Sequence, residues 1–289
     1  MTTVYNNTEQ EQTISTVRVM RRQEETSYAN SDYLESLPDL MSEADPIDAT
    51  CRSVMAQWCY QIVDFCNYKR ETVATCMSNL DRFLATPDGQ QVMLDRNQFQ
   101  LAAMTSLYSA VKVHEQEAME PKLISNLSRG AHTAQAVEAM EFRMLSAIQW
   151  RVNPPTALAF ARHFLDLVPT HALDDAARAT VMDLTQFQTE LAVGDYDFIV
   201  QNPSAIAFGA MLNALESIGD QQLVQEFDRI ISHFAKINSS ELQNLRICLY
   251  EAISQETSPQ LATPQKDVAA SSKISAQSCI HTSPRSVSE

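Results

Sequence analysis

Four charged side chains stand where the helical repeat of apolar residues predicts burial. Lys112 and Arg52 are the bases, Glu141 and Asp81 are the acids, and each has apolar neighbours at helical spacing. A buried charge without a partner is costly, so two bases and two acids indicate two ion pairs. Taken one at a time, each of the four could instead be a solvated residue at the edge of a helix.

The rest of the sequence argues against catalytic or metal chemistry. It contains no glycine-rich phosphate loop and no HExxH motif, and its six histidines are scattered. The six cysteines include no CxxC pair, so neither a zinc site nor a disulfide framework is expected. We therefore expect a protein that is not an enzyme and that needs no metal and no cofactor.

Composition narrows the possible partners and the location. The net charge of −15 disfavours direct binding to nucleic acid and to anionic membranes. The N-terminus lacks a signal-peptide pattern, and the chain has no apolar run long enough for a membrane span. These features predict a soluble intracellular protein.

The elements that must position the four charges are helices. Only five glycines occur, and apolar residues recur at three and four positions, which is typical of an all-α fold. The first half has helix-like segments at 48–67, 71–86, 95–115, 121–129 and 132–150. The second half has them at 155–168, 174–193, 203–218, 220–235 and 239–255. Five helices in each half predict an internally duplicated fold.

Local sequence signals predict where the helices and the domains begin and end. Asp48 and Asp95 are expected to cap helices, whereas Pro87 with Asp88 and Gly89 is expected to break the second helix. The predicted organisation is an N-terminal segment with a short docking helix within 18–34, two helical domains, and a disordered tail rich in serine, threonine and proline. Their ranges are 1–45, 46–152, 153–255 and 256–289.

Several stretches resemble a cyclin box, and they occur in the order of that family. They are CRSVMAQWC (51–59), LDRFL (80–84), Leu101 with AVKVHE (110–115), AMEFRML followed by PPT (139–156) and LAVGDYDFIVQNPSAIAFGAML (191–212). The last of these resembles part of a second box. The resemblance spans residues 45–255 and implies two tandem five-helix cyclin-fold domains.

The resemblance implies a regulatory subunit of a cyclin-dependent kinase that controls cell-cycle progression. In that family, the residues matching Arg52 and Asp81 form a structural pair within the box. Those matching Lys112 and Glu141 face the kinase, and Leu101 is assigned with them. The implied mechanism is allosteric, because the box holds the kinase C helix where its glutamate pairs with the ATP-positioning lysine.

A second surface is implied on the first helix of the box, where some cyclins dock substrates or inhibitors on a shallow apolar patch. The matching positions are Val54, Met55, Trp58, Arg96 and Gln100. The alternative is that these are residues of the core and its rim. Because Cys51 replaces the usual methionine and Gln61 replaces an acidic residue, a preference for arginine-containing peptides is not implied.

The sequence favours one cell-cycle phase and leaves other classes open. No RxxLxxxxN destruction motif and no Lys-Glu-Asn box are present, which favours a role at G1/S. The alternatives are a transcription-associated cyclin and a kinase-independent cyclin-fold adaptor. We expect the protein in the nucleus and cytoplasm. In the tail, Ser258, Thr263 and Ser283 each precede proline and are predicted to be phosphorylated and to control turnover.

Overall fold

The described part of the chain is built from helices. The computed structural model describes residues 2–35, 46–117, 119–169, 172–219, 221–235 and 238–257. The α-helices within these ranges are α1 (Thr2–Glu25), α2 (Ala49–Phe65), α3 (Glu71–Leu84), α4 (Pro87–Val92), α5 (Arg96–His114), α6 (Pro121–Leu127), α7 (Ala134–Ala147), α8 (Ala157–Leu167), α9 (Asp175–Gly194), α10 (Pro203–Ile218), α11 (Gln221–Ala235) and α12 (Ser239–Thr257). A short 3-10 helix, Tyr196–Phe198, precedes α10. The predicted all-α class is confirmed.

The helices form two units, each built around one central helix. In the first unit, α2 to α7 include the central helix α5, which is buried from Leu101 to Val111. In the second unit, α8 to α12 include the central helix α10, which is buried from Ser204 to Leu215. The duplicated arrangement predicted from the number of helices is confirmed, although the first unit contains one more helix than expected.

Helix α3 ends at Leu84, before the predicted break at Pro87, and the additional helix α4 begins at Pro87 itself. Thr86 caps α4 by accepting a hydrogen bond from Gly89 N at 3.1 Å, and Pro87 occupies the first turn, where its missing N–H is not needed. Gly89 lies against the end of α3. A Cβ atom built on it would stand 2.0 Å from the Phe83 carbonyl oxygen and 2.6 Å from Leu84 Cα. Glycine is therefore required here for the close approach of two backbones.

Replacing Gly89 with alanine is expected to destabilise the protein by about 1–3 kcal/mol or more, because a backbone oxygen cannot move aside as a flexible side chain would. Urea denaturation measures the change in the free energy of unfolding. Gly194→Ala is the matched control, since nothing lies within 4 Å of its Cβ position. Equal stability of the two variants would contradict the close approach.

The N-terminal segment differs from the predicted short helix at 18–34. Helix α1 ends at Glu25 and begins earlier than predicted. It is longer because Ile14, Val17 and Met20 extend its apolar stripe along the second unit. At the end of α1, the buried Glu24 carboxylate accepts hydrogen bonds from Ser204 N at 2.9 Å and from the Ser204 hydroxyl at 2.5 Å. These bonds satisfy donors in the first turn of α10, so α1 is fixed to the start of the central helix.

The segment that follows α1 contacts the first unit. Tyr33 is buried in the first core, and Tyr196, beside the second unit, accepts a hydrogen bond from Leu34 N at 3.0 Å. Tyr196 also donates its hydroxyl proton to Asp32 Oδ1 at 2.8 Å. Residues 14–34, which we call the N-terminal strap, therefore contact both units.

The buried Glu24 predicts a pH-dependent contribution to stability. Desolvation by burial raises the pKa of Glu24 above its usual 4.5, and this effect outweighs the opposing hydrogen bonds from Ser204. The folded state consequently binds this proton more tightly than the unfolded state. The stability of the wild type relative to Glu24→Gln should therefore rise as the pH falls from about 7 towards 4.5, and then level off.

Urea denaturation of both proteins at several pH values measures this trend. Glu11→Gln, which changes an exposed residue of the same helix, is the control for the loss of a carboxyl group. A Glu24→Gln difference that is constant from about pH 7 to 4.5 would contradict the prediction.

Candidate functional site

The first of the two ion pairs joins α2 to α3. Arg52 donates from Nε to Asp81 Oδ1 and from Nη2 to Asp81 Oδ2, both at 2.8 Å, which is a bidentate geometry. Both side chains are almost completely buried. Burial opposes ionisation of the guanidinium, but the carboxylate outweighs it and raises the pKa of Arg52. The guanidinium therefore stays charged, and its ion pair with Asp81 compensates its desolvation.

This buried pair also contacts segments outside the first unit. Arg52 Nη1 donates to the Val193 carbonyl oxygen of α9 at 2.9 Å. The Tyr33 hydroxyl of the N-terminal strap donates to Asp81 Oδ1 at 3.1 Å. The pair lies within the first unit, as the resemblance implied, and it also contacts the second unit and the strap.

The second ion pair joins α5 to α7 at the surface. Lys112 Nζ lies 2.9 Å from Glu141 Oε1 and 3.1 Å from Glu141 Oε2, and the side chains are 41% and 14% exposed. Ser109 donates a further hydrogen bond to Glu141 Oε1 at 3.0 Å. The ammonium lies 4.8 Å from the centre of the Tyr108 ring, within the range of a cation–π contact.

These contacts orient Lys112 and keep it charged. Partial burial lowers the pKa of Lys112, but the hydrogen bond and charge of Glu141 outweigh that effect and raise it. Helix α5 starts at the cap Asp95, whose carboxylate accepts from Asn97 N at 2.8 Å, and α7 starts at the cap Thr133. Two well-defined helices thus present a charged hydrogen-bonding pair that a partner can reach.

Helix α7, which carries Glu141, also carries one large exposed aromatic side chain, and a second follows its end; sequence reasoning missed both. Phe142, which follows Glu141, is 67% exposed, and Trp150 is 62% exposed. Their rings meet edge to face, with centroids 6.5 Å apart. We call Phe142 and Trp150 the aromatic pair. A signal was present in the sequence, because Phe142 lies off the buried stripe of α7 and so indicates an aromatic group facing outward.

Leu101 does not belong to this surface. It is 5% exposed and packs in the core of the first unit, three turns of α5 before Lys112. The assignment of Leu101 to kinase binding is therefore corrected, because a side chain on the inner face of the central helix cannot reach a partner.

The expected docking patch on α2 is corrected as well. Met55 and Trp58 are each only 3% exposed, because this face of α2 is turned into the core. Of the five residues, only Val54 is an exposed apolar group, while Arg96 and Gln100 are half-buried. Gln100 is engaged with His132, at 3.1 Å between Oε1 and Nε2. The five positions are thus core and rim residues in this structure, which was the alternative interpretation.

The described ranges contain neither a candidate metal site nor a candidate membrane-spanning helix. No group of three or more histidine, cysteine, aspartate or glutamate residues in them is placed to hold a metal ion. None of their helices is long and apolar enough to cross a membrane. The predicted phosphorylation sites Ser258, Thr263 and Ser283 lie outside the described residues.

Comparison with protein families assigns both units. The model of the cyclin N-terminal domain matches residues 15–153, and the model of the cyclin C-terminal domain matches residues 155–283. Together they include the four charged residues and the aromatic pair.

Similar proteins carry cyclin names. The G2/mitotic-specific cyclin-B of Patella vulgata is 26% identical over 223 residues, which are 77% of this chain and 49% of that protein. Cyclin-A2-1 of Arabidopsis thaliana is 22% identical over 205 residues, which are 71% of this chain and 44% of that protein. The chain therefore spans about half the length of the curated relatives it matches.

Solved structures agree on the fold. A viral cyclin from herpesvirus saimiri superposes with a TM-score of 0.62 at 14% identity, over 83% of this chain and 96% of that one. A chain of the CAK complex from Chaetomium thermophilum, solved with ATP-gamma-S, gives a TM-score of 0.50 at 16% identity, over 84% of this chain and 74% of that one. At these identities, the likeness shows the fold.

Proposed function

Because this chain belongs to the cyclin family, we propose that it is a regulatory subunit of a cyclin-dependent kinase and that it does not catalyse a reaction itself. The kinase is bound at the surface formed by Lys112, Glu141 and the aromatic pair. The observation that carries this proposal is a partly exposed ion pair between α5 and α7, together with two mostly exposed aromatic rings on α7 and in the turn after it.

The chemistry of this surface suits a helix of a partner. Exposed aromatic rings supply apolar area that a partner can cover, and this burial provides most of the affinity. The ammonium and the carboxylate offer one donor group and one acceptor group, which fix the orientation of the partner backbone. In the proposed complex, the kinase C helix is held inward so that its glutamate pairs with the ATP-positioning lysine.

A reconstitution experiment tests this function. The full chain is mixed with individual purified cyclin-dependent kinases, and complex formation and phosphorylation of a peptide substrate are measured. We expect at least one kinase to bind and to gain activity in proportion to occupancy. If no kinase of this class binds the folded chain, the kinase-independent adaptor replaces the proposal.

The cell-cycle phase and the cellular location are separate parts of the proposal. The G1/S role rests on the missing destruction motifs, whereas the relatives from Patella vulgata and Hydra vulgaris are named G2/mitotic-specific. We propose that the chain acts at G1/S, in the nucleus and cytoplasm. Its level in synchronised cells decides the phase, because a peak at mitosis would contradict the proposal. Microscopy of the tagged chain tests the location.

We also propose that phosphorylation of the tail controls turnover. Ser258, Thr263 and Ser283 each precede proline, and each phosphate would add nearly two negative charges that a ligase adaptor can recognise. The triple alanine variant should have a longer half-life after translation is blocked, while binding to the kinase stays unchanged. An unaltered half-life would leave the tail without this role.

A further inference from the structure

The chain leaves α7 through a turn in which two consecutive residues have left-handed backbone angles. The φ angle is +56° at Gln149 and +60° at Trp150. Side chains other than glycine rarely adopt this region, and a bulky aromatic residue is especially unusual there. Such a conformation persists only where the surrounding contacts hold it. The turn places the exposed Trp150 against Phe142.

Backbone hydrogen bonds at the end of α7 provide part of the stabilisation of this turn. Gln149 N donates to the Ser146 carbonyl at 3.1 Å, and Trp150 N donates to the Leu145 carbonyl at 2.8 Å. These bonds satisfy carbonyl groups that the helix end leaves without partners. Arg151 N adds a bond to the Ile148 carbonyl at 3.2 Å, but the carbonyl groups of residues 151 and 152 need partners from elsewhere.

Two buried side chains of α3 provide these partners. Arg82 Nη2 donates to the Arg151 carbonyl oxygen at 2.7 Å, and Asn79 Nδ2 donates to the Val152 carbonyl oxygen at 3.1 Å. Arg82 also donates to Asn79 Oδ1, so the two side chains hold each other. We call Asn79 and Arg82 the carbonyl clamp. The two residues are one turn apart on the same face of α3 and therefore hold two successive carbonyl groups.

The guanidinium of Arg82 is unusual because its acceptors in the described residues are a backbone carbonyl oxygen and the amide oxygen of Asn79. Asp81, its neighbour in the chain, is committed to Arg52, and no carboxylate of the described residues forms an ion pair with Arg82. The ring of Tyr28, from the N-terminal strap, lies 4.8 Å from the guanidinium. Burial lowers the pKa of Arg82 to about 10, so the group is still charged at neutral pH. A buried cation without a carboxylate is costly, which points to a specific role.

We propose that Asn79 and Arg82 are positioning residues for partner binding. By holding the carbonyl groups of residues 151 and 152, they keep the left-handed turn formed and so fix Trp150 against Phe142 before the partner arrives. This inference rests on the proposed function, because the aromatic pair is part of the proposed kinase surface. A surface that is already in its bound arrangement loses less entropy on binding and so binds more tightly.

Intrinsic fluorescence can report on the turn directly. The chain has two tryptophans; Trp58 is buried and Trp150 is mostly exposed. In a Trp58→Phe background, the emission, the anisotropy and the acrylamide quenching all report on Trp150 alone. Measured on the free chain, they are independent of any kinase.

The test compares three variants in that background. Asn79→Ala and Arg82→Lys each remove clamp bonds, and Tyr28→Leu is a milder variant that removes only the ring over the guanidinium. We expect lower anisotropy and stronger quenching of Trp150 in all three, with the smallest change in Tyr28→Leu. If the aromatic pair is formed in about one molecule in ten, the apparent dissociation constant for the kinase rises about tenfold.

A rescue variant separates positioning from a merely structural role. Gln149→Gly removes the conformational strain at the first left-handed residue, since glycine adopts positive φ freely. Added to Asn79→Ala, it should restore the anisotropy of Trp150 and most of the kinase affinity. If the clamp serves only to join the two units, the melting temperature falls but the Trp150 signals do not change, and the proposal is overturned.

The outcomes also distinguish this inference from the function on which it rests. Trp150 signals that stay unchanged in Asn79→Ala and Arg82→Lys overturn the positioning role, even if the kinase binds normally. Kinase binding that is insensitive to Lys112 and Glu141 overturns the proposed function, and the partner-binding purpose of the clamp with it, even if the fluorescence responds as expected.

Discussion

Replacing Arg52 with alanine is expected to lower the free energy of unfolding by about 3–5 kcal/mol. The change leaves the Asp81 carboxylate buried with Tyr33 as its remaining hydrogen-bond donor among the contacts described above, and it releases the Val193 carbonyl of the second unit. An uncompensated charge in the interior costs far more than a lost surface contact. Urea denaturation, followed by circular dichroism, measures the loss.

The matched control removes both charges together. Arg52→Met combined with Asp81→Leu should destabilise the protein less than Arg52→Ala, because no buried charge remains without a partner. An unchanged stability of Arg52→Ala, together with lost kinase binding, would place Arg52 at the partner surface and contradict the structural role.

Replacing Lys112 or Glu141 with alanine is expected to weaken kinase binding by about 1–3 kcal/mol, which corresponds to roughly 5-fold to 150-fold in the dissociation constant. The remaining member of the pair loses its partner in an interface from which the kinase excludes water. Surface plasmon resonance with the kinase identified by reconstitution measures the change, which should be mainly a faster dissociation.

The stability of these variants provides an internal check. Lys112 is 41% exposed, so breaking its pair with Glu141 in the free chain should cost at most about 1 kcal/mol. Lys122→Ala, which removes an exposed lysine of α6, is the control for net charge and should bind normally. Wild-type affinity of the Lys112→Ala, Glu141→Ala double variant would refute the proposed surface.

The sequence predicted the fold well because the information was local. Apolar spacing, the caps Asp48 and Asp95, and the scarcity of glycine fixed most helices to within a few residues. The helix predictions were wrong where a contact between residues far apart in the sequence determined the structure. Helix α4 forms because Gly89 lets its backbone approach α3, and α1 extends because the second unit covers its apolar stripe.

The site was predictable in part for the same reason. The four charges stand out against apolar neighbours, so their residue types could be recognised one helix at a time. Leu101, Met55 and Trp58 were assigned to surfaces from the resemblance alone, whereas they are buried, as apolar residues on the inner stripes of α2 and α5. The position of Trp150 depends on a left-handed turn held by α3, and no local pattern encodes that contact.

The N-terminal strap has a consequence for the order of events during synthesis. Glu24 and its partner Ser204 are separated by 180 residues, which a ribosome adding about 5–20 residues per second needs roughly 10–40 s to produce. Throughout that interval Ile14, Val17 and Met20 have no second unit to cover them. The strap thus leaves the ribosome well before the unit that covers it, which makes it a natural binding site for chaperones in the nascent chain and gives its docking a high contact order.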